Sequence, residues 1–545
     1  MDKDSPASFS DFIIKPASGF SPQRLLSFNA ELLEALFITS KLRWFQLTGM
    51  MNYASGFMAP FWTALQYFSN IEKNGSNGEG PFKLALDYLQ LLMFEMQLTA
   101  RGAMADMSAM SKYHMREMWN ALVAVENSLQ KGNPQDLVGF SEKQLELMDM
   151  VVNVYPGAVR QIESEFGFHL DNGRYVKVAE TDRFALYQVL SISSAVKVRE
   201  NGKPVLIVPP YVLGANILAF LPEEGRSYVH AFANQGIPTY IRLVKNIEEN
   251  PAVQLMRGEE DVLDTRNFCE QLVARHGRAV TLNGYCQGGF MAALGVMSGE
   301  LDGLVDALIT CVAPLDGSRS EGLVEYIEHL PHHFRDLGYS LKTLPNGNKV
   351  VDGKVMSWVY KLKSIEKESP INSFYRDVEL LAAGANKPLM INKVSAAIRH
   401  WLTYDITDIP VEITRLSFDS YTNPVAGDGT LPVKLFGRHL NFKSIREKGI
   451  KWLICIAEND ELVEKSAALA PLDYVDAEVT TFPKGHTSIA ILWSSPGSQC
   501  PIHMRYGNAP CDTDSSRGPV RFQLDLDEAD FLNTVESSSL SLITN

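Results

Sequence analysis

A strand-like apolar run and a helix-like apolar run are joined by a glycine-rich turn at residues 279–299, AVTLNGYCQGGFMAALGVMSG. The turn reads G-x-C-x-G, with Cys286 between Gly284 and Gly288. A strand–turn–helix of this form is typical of the nucleophile elbow, here with cysteine in place of serine. The turn is so tight that a side chain at either glycine would clash with the crossing strand or helix. The pattern therefore predicts a catalytic Cys286 in a strained backbone conformation.

Cys286 is expected to lie at the N-terminus of the helix that follows the turn. The positive end of a helix dipole favours a thiolate there, and the backbone N–H of Gln287 is expected to point at an oxyanion. The second oxyanion donor should come from the loop after VLIVPP, where Tyr211 and Val212 are nearest; we select Val212. The alternative interpretation of the motif is a buried structural cysteine in a glycine-rich turn.

From about Tyr187 onward, short apolar runs alternate with helix-like segments. Continuous apolar strands separated by helices are typical of a parallel sheet covered on both faces. The strand candidates are 205–210, 237–244, 279–284, 307–314, 451–457 and 478–483. Together with the elbow, they predict an α/β class protein with the α/β-hydrolase fold, in which a mostly parallel sheet carries helices on both faces.

An elbow nucleophile of this fold is followed along the chain first by an acid and then by a histidine. Asp460 comes directly after the strand candidate KWLICIA, and His486 follows EVTTFP. We predict that His486 activates Cys286 and that Asp460 orients the imidazole or acts as a base itself. The lower-ranked alternatives are Asp316 for the acid and, for the histidine, His439, His332 and His333.

Long segments without strand candidates set the predicted domain organisation. The N-terminal part is helical, because apolar residues recur there at spacings of three and four. Residues 104–118 carry a row of methionines, which we interpret as core or as a surface facing a partner. A mostly helical stretch with the hairpin-like LPNGNKVVDGKV is too long for a loop and is interpreted as a lid. The predicted parts are a flexible tail (1–20), a helical domain (21–185), a catalytic core (186–316 and 411–494), an inserted lid or cap (317–410) and a C-terminal tail (495–545).

Composition narrows the class of function. The 545 residues include 50 Lys and Arg against 64 Asp and Glu, a net charge of −14, which disfavours a nucleic-acid binder. Six scattered cysteines without a C-x-x-C pair are too few for a disulfide scaffold and favour a cytoplasmic location. Cys269, Cys311 and Cys455 lie in apolar surroundings and are predicted to be core residues. Cys500 and His503 form a lone C-x-x-H, so no metal and no cofactor are predicted, and no transmembrane segment is expected.

These residues together resemble the polyhydroxyalkanoate synthases, a family of α/β-hydrolase fold with a cysteine nucleophile. GYCQGG matches the G-x-C-x-G-G box of that family, and the stretch beginning PVLIVPP resembles its VPP strand and loop. LSFDSYTNPVAG is similar to its W-N-x-D-x-T-N-x-P region, and GKVMSWVYKLKSI to its lid segment. The resemblance covers roughly residues 180–490.

The resemblance implies a reaction and its partners. Cys286 would take the acyl group of an (R)-3-hydroxyacyl-CoA as a thioester, His486 would activate Cys286, and Asp460 would activate the 3-hydroxyl of the incoming unit. The CoA thioester would be a substrate and not a cofactor. The other implied partners are a growing polyester chain or granule surface and a second copy of the chain in a homodimer. The implied location is the cytoplasm, either free or associated with polyester granules.

The chain departs from the family pattern at several positions. Glu461 stands where the family has histidine, Ser417 where it has tryptophan, and the Arg-Pro turn is absent after Lys363. After the predicted catalytic histidine only Trp493 remains of a tryptophan-rich ending. Two alternatives stay open on the sequence: a Cys-dependent thioesterase or polyester depolymerase, and a non-catalytic protein that binds polymer granules.

Overall fold

The fold was analysed in a computed structural model. The structure describes residues 22–74, 81–129, 136–212, 214–329, 340–382 and 391–502. The predicted N-terminal tail and most of the predicted C-terminal tail lie outside the described residues. None of the helices in the described part combines the length and the apolar character needed to cross a membrane.

The chain divides into two compact units. The first comprises the described residues up to Gly56 with Arg101–Gly157 and Glu366–Ile391, and the second comprises Phe57–Ala100, Ala158–Ile365 and the described residues from Asn392 onward. The first unit is helical, whereas the second holds every strand found among the described residues. The predicted lid is therefore not one body, because residues 366–391 group with the N-terminal helices.

An eight-stranded sheet organises the second unit. Its strands are β1 (Tyr175–Glu180), β2 (Phe184–Val189), β3 (Val205–Val208), β4 (Thr239–Val244), β5 (Val280–Tyr285), β6 (Val305–Cys311), β12 (Lys451–Ala457) and β13 (Glu478–Phe482). They lie in the order β1-β2-β4-β3-β5-β6-β12-β13. β2 is antiparallel to β1 and β4, and the remaining neighbours are parallel. This order, with the only antiparallel pairs of the sheet at one edge, is that of the α/β-hydrolase fold.

Two smaller sheets complete the strand inventory of the described residues. One contains β7 (Leu341–Thr343), β8 (Lys349–Val351) and β9 (Ile409–Pro410), and the other β10 (Thr430–Leu435) and β11 (Arg438–Asn441). β7 and β8 pair antiparallel, which confirms the predicted hairpin in LPNGNKVVDGKV.

The helices follow the same division. α1 (Pro22–Asn74) and α2 (Pro81–Leu129) are long and pass from one unit to the other. Between them and the sheet come α3 (Leu137–Asp149), a π-helical turn (Met150–Val154) and α4 (Tyr155–Gln161). The others are α5 (Tyr228–Ala233), α6 (Pro251–Gln254), α7 (Gly258–His276), α8 (Gln287–Ser298), α9 (Glu321–His329), α10 (Gly353–Lys363), α11 (Ile365–Glu368), α12 (Pro370–Ala382), α13 (Lys393–Tyr404), α14 (Val411–Thr422), α15 (Lys443–Glu447), α16 (Lys465–Ala468) and α17 (Ser488–Ile491).

The core of the second unit lies on both faces of its sheet. All six residues of β5 are buried, as are all twelve of α8, because both faces of β5 are covered by helices. Cys269, Cys311 and Cys455 are fully buried, which confirms them as core residues. The methionine row, in contrast, is not buried. Among the described residues, its side chains are largely exposed at Met104, Met107, Met115 and Met118. The row is therefore not core, and its interpretation as a surface facing a partner remains a prediction.

All six strand candidates form strands of the large sheet, but the predicted start of the catalytic core at residue 186 comes too late. β1 precedes that boundary and β2 crosses it, and both belong to the sheet. The sequence did not predict β1 because this strand, YVKVAE, lies at the sheet edge, where only Tyr175 is fully buried. An edge strand with polar, exposed residues does not produce the continuous apolar run that marks a central strand.

Candidate active site

The turn between β5 and α8 holds Cys286 in a conformation that cysteine rarely adopts. Its φ is 51° and its ψ is −124°, a strained combination for a residue with a Cβ. The Cys286 N–H donates to the Cys311 carbonyl at 2.8 Å, which ties the turn to β6. Cys286 immediately precedes α8, so its sulfur sits at the N-terminus of a twelve-residue helix. The predicted elbow is thus present in the structure.

Neither elbow glycine has room for a side chain, as the G-x-C-x-G pattern predicts. A Cβ on Gly284 would overlap the backbone of Gly288 and Gly289, and a Cβ on Gly288 would overlap the carbonyl groups of Val208 and Pro209. In both cases the obstructing atoms are backbone, which has no room to move aside in a packed core.

Gly284→Ala is expected to destabilise the protein by more than about 3 kcal/mol, because the added methyl group has no alternative position. Gly295→Ala is the matched control in α8, since its new methyl would lie 3.2 Å from the flexible end of the Leu301 side chain and 3.7 Å from Val262 Cγ2, with no backbone atom in the way. Urea unfolding followed by circular dichroism measures both. Equal effects of the two substitutions would contradict the backbone overlap at the elbow.

Asp460 and His486 come together beyond the ends of β12 and β13. His486 Nδ1 lies 2.7 Å from Asp460 Oδ2. The other oxygen, Oδ1, accepts the backbone N–H groups of Leu462 and Val463, each at 2.9 Å. The His486 carbonyl accepts the Tyr285 hydroxyl at 2.9 Å, which anchors the histidine loop to the last residue of β5. The carboxylate is therefore fixed by the backbone and in turn fixes the imidazole.

Electrostatics favour a charged histidine at this site. Burial alone would lower the pKa of His486, but the negative charges of Asp460 and Cys286 and their hydrogen bonds raise it to about 10. Nε2 is buried and makes no hydrogen bond of ordinary geometry to the described residues, so it is the ring atom left for Cys286. A protonated imidazole beside a cysteine favours the thiolate nucleophile. Cys286, Asp460 and His486 are exposed by only 8 %, 9 % and 9 %.

Gln287 links the elbow to two other segments. As the first residue of α8 its backbone N–H lies beside Cys286. Its side-chain oxygen accepts the Val212 N–H at 3.2 Å, and its side-chain nitrogen donates to Ser417 Oγ of α14 at 2.7 Å. The Val212 N–H, predicted to bind the oxyanion, therefore donates to the Gln287 amide in this structure. The prediction for Val212 remains open, and the bridge to Ser417 is a contact that the sequence did not indicate.

Tyr211 faces away from this bridge, into a buried charged cluster. Its hydroxyl donates to Asp261 Oδ2, which also accepts Arg242 Nη2 at 2.7 Å. Arg242 lies on β4 and is fully buried, and it also donates to Thr265 Oγ1 at 2.6 Å. Burial and the Asp261 charge raise the pKa of Tyr211 well above its usual range, so the hydroxyl remains a donor. The cluster fixes the residue that precedes Val212.

Asp261→Ala is expected to destabilise the protein by about 3–5 kcal/mol, because it leaves the buried Arg242 guanidinium without its countercharge. Asp264→Ala on the same helix is the matched control, since its partner Arg183 is partly exposed and can be solvated. Its cost should be clearly smaller. The free energy of unfolding in urea measures both, and a cost for Asp261→Ala no larger than the control would overturn the expectation.

The alternative residues lie apart from the Asp460–His486 pair or outside the described residues. Asp316 is buried, but it accepts Ser318 Oγ at 2.5 Å and Arg319 Nε at 3.0 Å. His439 is exposed on β11. Of the remaining candidates, His332, His333 and His503 lie outside the described residues. No group of three or more His, Cys, Asp or Glu side chains that could hold a metal ion occurs in the described part of the chain.

A small pocket adjoins the Gln287 bridge. Its walls come from α9, α10 and α14, and they are mostly apolar. The lining residues are Val212, Gln287, Leu323, Ile327, Met356, Val359, Thr414, Ser417, Phe418 and Tyr421.

Comparisons with known proteins add little to this description. No family model and no curated protein matches the chain. Among solved structures it is similar to a soluble variant of the monoglyceride lipase from Saccharomyces cerevisiae, at 8 % identity and a TM-score of 0.35, covering 60 % of this chain and 92 % of the lipase. It is also similar to a carboxylesterase of Nitrososphaera gargenis (11 % identity, TM-score 0.28, 58 % of this chain and 92 % of the esterase).

The fold assignment therefore rests on the chain itself. Structural similarities with TM-scores this low do not support a fold assignment. The strand order and the elbow do, because both are observed in the described residues. The second unit has the α/β-hydrolase fold, with Cys286 at the nucleophile position and a His486–Asp460 pair in the chain order that the fold requires.

Proposed function

We propose that the protein is an acyltransferase that polymerises (R)-3-hydroxyacyl-CoA into polyester through an acyl-Cys286 intermediate. One observation carries the proposal: a cysteine on a strained elbow shares a buried site with an imidazole whose pKa is raised to about 10 by Asp460 and Cys286. The resemblance of the sequence motifs to polyhydroxyalkanoate synthases supplies the substrate class.

The chemistry begins with thioester exchange. The Cys286 thiolate attacks the thioester carbonyl, the C–S bond to CoA breaks, and protonated His486 is placed to give its proton to the departing CoA sulfur. The new bond is again a thioester, so the exchange is nearly balanced in energy. The backbone N–H of Gln287 is placed to stabilise the oxyanion, and the Val212 N–H joins it once the Gln287 amide releases that donor.

The second step transfers the acyl group to a hydroxyl. The 3-hydroxyl of another unit attacks the acyl-Cys286 carbonyl, neutral His486 accepts the hydroxyl proton, and the Cys286 thiolate leaves as an ester forms. Water competes with the hydroxyl for the same carbonyl. The low exposure of Cys286, Asp460 and His486 limits access of water to the carbonyl, which supports transfer over hydrolysis.

The proposal includes the expected surroundings of the reaction. The CoA thioester is a substrate, and no metal or cofactor takes part. The growing polyester chain or its granule surface is the other partner, and the protein acts in the cytoplasm as a homodimer, either free or on granules.

The deciding experiment incubates the purified full chain with (R)-3-hydroxybutyryl-CoA. Released CoA is measured with a thiol reagent, and polymer is measured by chromatography after methanolysis. Release of CoA with formation of polymer supports the synthase. Release of CoA with free 3-hydroxybutyrate and no polymer identifies a Cys-dependent thioesterase instead. A chain that releases no CoA and binds polymer granules is the non-catalytic alternative, and the proposal then fails.

A further inference from the structure

The N-terminal half of α1 has two apolar faces. One face packs inside the first unit: Ala35 and Ile38 are buried, and a Cβ on Gly49 would lie 2.5 Å from the Phe374 ring. Ala35 belongs to a small core with Ala124 and Leu137. This face is sufficient to hold the helix in its unit.

The other face is a stripe of large apolar side chains without cover in the described residues. We call it the α1 stripe; its members are Leu26, Leu33, Phe37, Trp44, Leu47 and Met51. Their exposed fractions range from 58 % to 71 %. A soluble helix normally directs polar residues away from its core, and an exposed apolar stripe of this kind marks an interaction surface.

The spacing of the stripe indicates what covers it. From Leu33 to Met51 its positions follow steps of four and three when the small Ser40 is included. A seam with this heptad repeat, widened on one side by the exposed Leu36, fits the corresponding seam of another helix. A helix that lies on a lipid surface is bordered by basic residues, whereas one flank of the stripe carries both Glu34 and Lys41.

We propose that the α1 stripe pairs with the α1 stripe of a second copy of this chain, in antiparallel orientation. With the twofold axis between Ile38 and Thr39, Leu33 of one copy faces Trp44 of the other, and Leu26 faces Met51. Such layers join the first and the fourth position of the heptads, as antiparallel helix pairs require. The contact is isologous and closes as a dimer.

Charge selects this orientation. Glu34 and Lys41 are both exposed and occupy the same flank of the stripe, and Lys41 Nζ lies over the Phe37 ring, 4.7 Å from its centroid. In the antiparallel pair Glu34 of each copy lies beside Lys41 of the other, so the complementary contact occurs twice. A parallel pair would place Glu34 beside Asn29 of the second copy and would lose both contacts.

The size of the stripe fits a dimer contact. Six large side chains exposed to this extent offer on the order of 700 Å² per copy. A standard interface needs roughly 800 Å² per partner, so the seam provides most of what a stable pair requires.

Charge exchange tests the pairing in the full chain. Glu34→Lys and Lys41→Glu each place like charges together twice across the interface, and each should weaken dimerisation by about tenfold. The double variant Glu34→Lys/Lys41→Glu restores opposite charges and should return the dissociation constant close to the unaltered value. Sedimentation equilibrium measures the association. Glu142→Lys, which makes the same charge change at an exposed residue of α3 outside α1, is the control and should change nothing.

Trp44→Glu removes the largest side chain of the stripe and should give a monomer with unchanged helix content by circular dichroism. A chain that is monomeric at micromolar concentration overturns the proposal, as does a double variant no better than the single ones. Flotation with neutral and anionic vesicles provides the competing outcome: a monomer that binds vesicles through the same tryptophan assigns the stripe to a lipid surface. The pairing rests on the homodimer included in the proposed function, but these readouts need no enzymatic activity, so its failure is distinguishable from failure of the acyltransferase reaction.

Discussion

Cys286→Ala is expected to abolish release of CoA from 3-hydroxyacyl-CoA, with a loss of at least about a thousandfold. The reason is the position of the sulfur, which lies at the elbow beside His486 and in front of α8. Alanine removes the only atom there that can form the acyl intermediate, while the turn keeps its backbone. Mass spectrometry of the protein after brief exposure to substrate should show an acyl adduct on the unaltered chain and none on the variant.

Cys269→Ala is the matched control for this experiment. Burial raises the pKa of Cys269 to about 12, so its sulfur remains a thiol at neutral pH and takes no part in acyl transfer. Its variant should retain the adduct and the rate of CoA release, apart from a modest loss of stability. An adduct that persists in Cys286→Ala would show that the nucleophile lies elsewhere, and the assignment of the elbow would then be wrong.

The sequence predicted those parts of the site that depend on local pattern. The elbow is visible because Gly284, Cys286 and Gly288 lie within one short turn between a strand and a helix. Asp460 and His486 are visible because each directly follows an apolar strand in the order that the fold requires. The structure brings these two side chains within hydrogen-bonding distance.

The contacts that the sequence did not reveal join residues distant along the chain. Gln287 and Ser417 are 130 residues apart, and nothing near either one indicates the other. The sequence indicates the Arg242–Asp261 pair only weakly. An arginine inside the apolar run IPTYIRLV needs a buried partner, but the run does not identify that partner. Which carboxylate supplies that partner depends on how α7 packs against β4, and this packing is not encoded in a local motif.

Ser417 also explains one departure from the synthase pattern. The family has tryptophan at the matching position, whereas Ser417 Oγ accepts the Gln287 side-chain nitrogen at 2.7 Å and donates to the Ile413 carbonyl at 3.3 Å. A small hydroxyl residue allows α14 to hydrogen-bond to the elbow. The departure therefore changes how the elbow is held, and it leaves the nucleophile and its histidine in place.

Asp460→Asn is expected to slow the first acylation of Cys286 by about a thousandfold or more. Both oxygens of Asp460 are occupied, Oδ1 by two backbone N–H groups and Oδ2 by His486. The carboxylate is thus placed to orient and charge the imidazole, and not to take a proton from an incoming hydroxyl. Asparagine keeps the size of the side chain but loses the negative charge, so the pKa of His486 falls and its Nδ1 is no longer held by a carboxylate.

A single-turnover experiment separates the two roles of Asp460. One equivalent of 3-hydroxybutyryl-CoA is mixed with the enzyme, the reaction is quenched at short times, and the acyl-enzyme is quantified by mass spectrometry. If Asp460 orients His486, Asp460→Asn forms the acyl-enzyme slowly, whereas Glu461→Gln, which alters the neighbouring exposed carboxylate, forms it at the unaltered rate. If Asp460 is instead the base for the incoming hydroxyl, Asp460→Asn acylates at the unaltered rate and stops before a second unit is added. The hydrogen bonds around Asp460 favour the first outcome, because they stabilise the charged carboxylate, and protonation would weaken all three.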